Sequence, residues 1–145
     1  MLQTSDTSEK GLEAIIETHL AEVAGYRRAY SNEYDRDLCI NRRHLFEFLK
    51  ETQPEKYEII LKRGEETFLK RLAEQIRKRG VIDVLRKGIK DLDLTVNLYY
   101  KKPTSTLNKR AIRDYQTNIF AVCRQLFFSS DNRKSLDMVI FLNGL

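Results

Sequence analysis

The chain has 145 residues, of which 41% are hydrophobic and 32% charged, and a formal net charge of +5. That length suits one domain, and the composition supplies a core while excluding an intrinsically disordered chain. No run of about 18 apolar residues exists, so no membrane helix is predicted; residues 1–8 lack the charged-then-apolar layout of a secretory signal, which makes the cytoplasm the default compartment.

Residues 8–24 read as a helix with Ser8 as N-cap and Gly25 past its end. Leu12, Ile15, Ile16, Leu20 and Val23 recur at helical spacing and form the expected buried face. Glu9, Glu13 and Glu17 occupy a neighbouring stripe, where three close carboxylates ordinarily stay solvated. Residues 26–40 are polar and tyrosine-rich and read as an irregular connection. A helix over about 42–51 follows, with Asn41 as cap. Pro54 restarts the chain in a first helical turn, and that helix runs to Lys62 or Arg63. Beyond Gly64 a helix over 65–79 places Phe68, Leu69, Leu72, Ala73 and Ile76 on one face, and Gly80 ends it. Val81 to Lys87 forms a short helix or turn, closed by Gly88.

The period then changes. Leu92, Leu94, Val96 and Leu98 alternate with polar residues, which predicts a strand to about Tyr100, stopped by Lys101-Lys102-Pro103. Leu107 to Tyr115 reads as a short helix, and Asn118 to Ser129 as a second strand. A turn at Ser129-Ser130-Asp131-Asn132 leads into a third strand ending at Leu142. Asn143-Gly144 supplies the two positive φ angles of a type I′ hairpin turn. The chain reads as breaking off in mid-hairpin at Leu145. Helices first and strands later predict an α+β domain.

Asp137 is the odd residue of the last strand. It shares a face with Val139 and Phe141, while Leu136, Met138, Ile140 and Leu142 share the other. A carboxylate among β-formers requires water, a cation or a hydrogen-bond network. The plain account is an Asp at the exposed start of an edge strand; the sharper one is a metal ligand. Cys39 and Cys123 lie far apart and read as free, buried thiols, with no zinc spacing between them. His19 and His44 have no second candidate ligand nearby and read as ordinary histidines. Charge is uneven: residues 1–25 hold one Lys against five acids, and residues 62–90 hold ten Lys and Arg against four acids. Such a block is either the footprint of a polyanion or the wet face of helices.

Several stretches, taken in order and spacing, resemble the N-terminal nuclease domain of the restriction (R) subunit of type I restriction–modification enzymes. They are Thr52-Gln53-Pro54-Glu55, Arg79 through Asp91, Tyr100-Lys101-Lys102-Pro103, Val122-Cys123-Arg124-Gln125 and Ser135 through Leu145. The likeness runs from about Glu9 to the end. It implies a single domain over 1–145 with a nuclease core of the PD-(D/E)xK type, a mixed restriction-endonuclease-like sheet incomplete at the C-terminus. Asp137 falls where the family carries its catalytic, Mg²⁺-binding Asp, and the family's Glu-x-Lys falls beyond Leu145. Glu13 is the candidate for the further metal-binding Glu that related nucleases carry on the first helix, with Glu17 second.

The resemblance also implies partners. These are double-stranded DNA, cut without sequence preference at the cleavage point, and the modification and specificity subunits of the complex. Lys70, Arg77, Lys78, Arg86, Lys87 and Lys90 are the candidate DNA-facing residues. ATP belongs to the motor of the full-length subunit; no G-x-x-x-x-G-K-[ST] loop occurs here. With one carboxylate of the set, this piece alone is expected to be inactive. The competing readings are a basic helical DNA-binding module that never cuts, and a subunit-docking module.

Overall fold

The computed structural model describes residues 9–127 and 135–145. The predicted Ser8 cap and the Ser129-to-Asn132 turn lie outside them. Six α-helices occur among the described residues, α1 (Glu9–Glu22), α2 (Arg42–Thr52), α3 (Pro54–Arg63), α4 (Glu65–Arg79), α5 (Val81–Lys87) and α6 (Lys109–Gln116), with one turn of 3-10 helix at Ser31–Glu33. The strands are β1 (Arg27–Ala29), β2 (Ile89–Asp91), β3 (Leu94–Val96), β4 (Phe120–Phe127) and β5 (Ser135–Leu142). The architecture is mixed α and β, as the element order predicts.

Local chemistry explains most helix boundaries. The Asn41 side chain accepts from His44 N and caps α2. Pro54 opens α3, where its missing N–H costs nothing. Gly64, Gly80 and Gly88 separate the helices and the β2 strand, and all three have positive φ. At Gly88 a Cβ would also overlap the Val96 carbonyl, so the hairpin needs glycine there for space as well.

The larger core lies among α2, α3, α4 and α5. It holds Leu45, Phe48 and Leu49 of α2, Ile60 of α3, Phe68, Leu69 and Leu72 of α4, and Val84 of α5. Three segments depart from the sequence reading. The predicted strand over 92–100 is instead the short antiparallel hairpin β2–β3, which turns at Leu92 and Asp93 and then continues as an irregular chain. Leu92 sits at the turn with φ of 59° and is exposed, so the alternation that suggested one long strand crosses a bend. The irregular 26–40 segment contains β1, too short to carry a periodic signal. Cys39 is exposed rather than buried; Cys123 is buried, and both are free.

The main sheet has the order β1-β4-β5, with β1 parallel and β5 antiparallel to β4. Ala29, Ala121, Cys123, Leu126 and Phe141 form a second, smaller apolar cluster on it. The Asn143-Gly144 turn ties this sheet to the helical core. Asn143 has φ of 52° and Gly144 of 86°, and Leu142 and Leu145 exchange two backbone hydrogen bonds of 3.1 Å. That is the two-residue hairpin the dipeptide predicts. The buried Asn143 side chain accepts from Ile119 N at 2.7 Å and donates to Leu98 O at 2.8 Å and Asn118 Oδ1 at 3.0 Å. Asn41 N, at the start of α2, donates to Gly144 O at 2.9 Å.

Candidate functional site

Helix α1 packs on β4 with its polar stripe inward. Gly11 and Glu13 are its buried residues, whereas Leu12, Ile15 and Ile16, and Val23 just past its end, are exposed; of the predicted face only Leu20 is half-buried. This reverses the orientation that periodicity predicts. The surface beneath the helix explains it: β4 presents Arg124 and Gln125 there, and both meet Glu13.

Arg124 Nη2 donates to the Lys10 carbonyl at 3.1 Å, and its Nε stands 3.5 Å from Glu13 Oε2. The Gln125 amide donates to Glu13 Oε2 at 3.2 Å and Oε1 at 3.4 Å. Glu17, one turn further along α1, instead stands 3.6 Å from Arg28 on β1.

Asp137 lies directly across from Gln125. The β4–β5 register runs from Phe120↔Leu142 to Arg124↔Met138 and resumes at Leu126↔Leu136, skipping this one pair. The gap coincides with φ of 54° at Gln125, a left-handed conformation that a non-glycine residue adopts only when its surroundings impose it. Leu126 then joins Ala121 and Cys123 in one cluster, a break in strict alternation that falls at the same residue.

The result is a gathering of three carboxylates. Oxygens of Glu9, Glu13 and Asp137 all lie within 4.8 Å of one another, with Glu13 buried and the other two exposed. Glu9 is the member that the sequence reading passed over; its position one turn before Glu13 on the same stripe was the available signal. Two oxygens on one octahedral Mg²⁺ stand at most about 4.2 Å apart, twice the metal–oxygen distance. Neighbouring oxygens on such an ion stand only about 3 Å apart, so the three side chains, spread over up to 4.8 Å, would have to draw together to share one hard cation, although all-oxygen donors are the kind it accepts. Asp137 is also exposed on β5, an edge of the described sheet, so its placement also meets the plain account of an Asp on an edge strand.

The six basic candidates fall in two groups. Lys78 pairs with Glu74 at 3.0 Å and Lys87 with Asp83 at 3.1 Å. Lys70, Arg77, Arg86 and Lys90 are exposed and without a described ion pair. The first three lie on α4 and α5 and Lys90 on β2; Ile76 of α4 and Val81, Ile82 and Leu85 of α5 line an apolar groove together with Val139, Ile140 and Leu142 of β5.

His19 is exposed, and His44 is buried in α2. Burial, with Arg27 and Arg43 nearby, lowers the His44 pKa below its ordinary value. The buried Cys123 thiol is pushed up to about 11, chiefly by desolvation.

No helix among the described residues is long and apolar enough to cross a membrane. Compared with known proteins, the chain matches no family model, no curated protein and no solved structure.

Proposed function

We propose that the chain contributes metal-binding carboxylates to an Mg²⁺-dependent endonuclease acting on double-stranded DNA, of the kind carried by the R subunit of type I restriction–modification enzymes. The observation that carries this reading is Asp137 standing beside Glu13. The sequence resemblance picks out these two residues from opposite ends of the chain, and their oxygens meet with Glu9.

In this reading Asp137 and Glu13 hold the ion and Glu9 closes the set from the exposed side. The Gln125 amide donates to both oxygens of Glu13 and so fixes that carboxylate. Arg124 partly offsets the negative charge and anchors α1 through Lys10 O. Bound there, Mg²⁺ supplies Lewis-acid polarisation of a phosphodiester and a lowered pKa for the attacking water. No Glu-x-Lys triplet occurs in the 145 residues, so the chain alone is expected not to cleave. ATP-driven translocation and assembly with modification and specificity subunits belong to the same proposal.

Titration with Mn²⁺, followed by electron paramagnetic resonance, is expected to show one site in the unaltered chain. Asp137→Asn should abolish it and Glu13→Gln should weaken it about tenfold or more. Equal Mn²⁺ binding by all three proteins, or none by the unaltered chain, would overturn the reading.

A further inference from the structure

The stretch from Lys101 to Arg113 holds five cations, Lys101, Lys102, Lys109, Arg110 and Arg113, and no acid. None of the five side chains makes an ion pair or hydrogen bond among the described residues. The basic block on α4 and α5 is mixed: Arg71, Lys78, Arg79 and Lys87 are already matched to Asp91, Glu74 and Asp83, while Lys70, Arg77 and Arg86 stand unpaired among them. Helix α6 buries no residue, so its charges are not held in place by the core.

Three adjoining clefts surround α6. The first, against the α2–α3 junction, is lined by Lys109, Arg110 and Arg113; the second shares Arg110 and Thr52 with it. The third holds Lys101 with Thr104, Ser105 and Asn108. Acids also line these clefts, Glu51 and Asp114 the first, Glu55 the second and Asp114 the third, and Tyr100 borders the second and third; none of the acids comes within ion-pair distance of Lys101, Lys109, Arg110 or Arg113. No aromatic or large aliphatic side chain lines the first cleft, so it lacks the apolar anchor on which protein partners usually depend. Lys and Arg mixed with Thr, Ser and Asn are instead the side chains that contact phosphate and sugar. Lys109 and Arg113 lie one helical turn apart, about 6 Å along the axis, on one face.

We propose that α6 and the loop before it carry the sugar–phosphate backbone of duplex DNA. This rests on the nuclease reading for its choice of polyanion. The contact is independent of base sequence, because phosphate contacts position a duplex without specifying it.

The test is fluorescence anisotropy of a labelled DNA duplex with the full chain in EDTA, from about 50 to 200 mM salt. The combined variant Lys109→Gln, Arg110→Gln, Arg113→Gln is expected to weaken binding at least tenfold at the low-salt end. Its plot of log affinity against log salt should be shallower by up to about three units. A second variant, with the exposed Arg36 and Lys62 changed to Gln, should stay within about threefold of the unaltered chain. Unchanged binding in the α6 variant, a loss confined to the second variant, or no binding by the unaltered chain would each overturn the proposal. Circular dichroism of both variants separates lost contact from lost folding. The Mn²⁺ titration without DNA keeps the two readings apart: failure at Asp137 removes the metal centre and leaves the α6 surface standing, and the converse also holds.

Discussion

The amide of Gln125 and the carboxylate of Glu13 are 112 positions apart in sequence and joined through both carboxylate oxygens. The joint depends on a backbone oddity. Gln125 sits in a strand with φ of 54°, where an L-residue costs roughly 1 kcal/mol relative to an ordinary extended conformation.

Glycine carries no such penalty. Gln125→Gly and Gln125→Ala both remove the contact with Glu13, but only the first relieves the left-handed strain. We expect Gln125→Gly to be more stable than Gln125→Ala by about 1 kcal/mol in urea unfolding. Both should bind Mn²⁺ more weakly than the unaltered chain. Equal stability of the two variants would mean that the left-handed conformation is not maintained in solution.

How far the sequence led depended on which force shaped each element. Helices α2 to α5 were legible because caps, Pro54, three glycines and a 3.6-residue apolar period all point to the same boundaries. Asn143-Gly144 was legible because a type I′ turn demands its residue types. Helix α1 was legible in extent but not in orientation. Its leucines and isoleucines carry the periodic signal, and yet Glu13 is buried, because residues more than a hundred positions away supply its polar partners. Asp137 stood out as a misfit in its strand. Its neighbour Glu9 did not stand out by itself; only its place one turn before Glu13 on the same stripe pointed to it. The left-handed Gln125 has no sequence signature at all, because neither Gly nor Asn marks it.

The outward turn of α1 has a direct consequence for stability. Leu12, Ile15 and Ile16 are between 40% and 59% exposed. Their replacement by Ser, singly, is expected to change unfolding free energy by no more than about 0.5 to 1 kcal/mol, where a buried Leu or Ile would cost 2–5. Leu45→Ala and Leu69→Ala, both fully buried, supply the contrast. A large loss at Ile15 or Ile16 would show that α1 packs with its apolar face inward after all.

Asn143 and Gly144 join the sheet to the core, and each fails in a distinct way. Asn143→Ala leaves Ile119 N, Leu98 O and Asn118 Oδ1 without a side-chain partner in a buried setting, for an expected loss of about 2–4 kcal/mol. Gly144→Ala faces φ of 86° and an overlap of the new Cβ with Asn41 O, so the start of α2 must move. Hydrogen exchange should then rise at Asn41 to Leu45 in the Gly144 variant, whereas the Asn143 variant should loosen Ile119 and Leu98 first.

The thiols should differ sharply in reactivity. Cys39 is exposed, and Cys123 is buried with its pKa pushed up to about 11. At about pH 8 a disulfide reagent is expected to modify Cys39 within seconds to minutes and Cys123 only on unfolding. Release of both thiols at one rate would contradict the burial of β4.

His44 is one source of pH dependence in the fold. Its side chain is buried, Nδ1 has no hydrogen-bond partner, and its pKa is lowered by desolvation first and by Arg27 and Arg43 next. Glu33 and Glu47 oppose the two arginines without reversing the direction. A group whose folded-state pKa lies below its unfolded value favours folding while it is neutral. The native state resists its protonation, and the unfolded chain accepts the proton near 6.5. The stabilisation is therefore complete above about pH 6.5 and is lost progressively as pH falls through the folded-state pKa. The urea midpoint of the unaltered chain should drop between about pH 7 and 5. His44→Leu, which keeps the site apolar and cannot titrate, should flatten that part of the profile; an equally steep decline in the variant would assign the effect to the carboxylates instead.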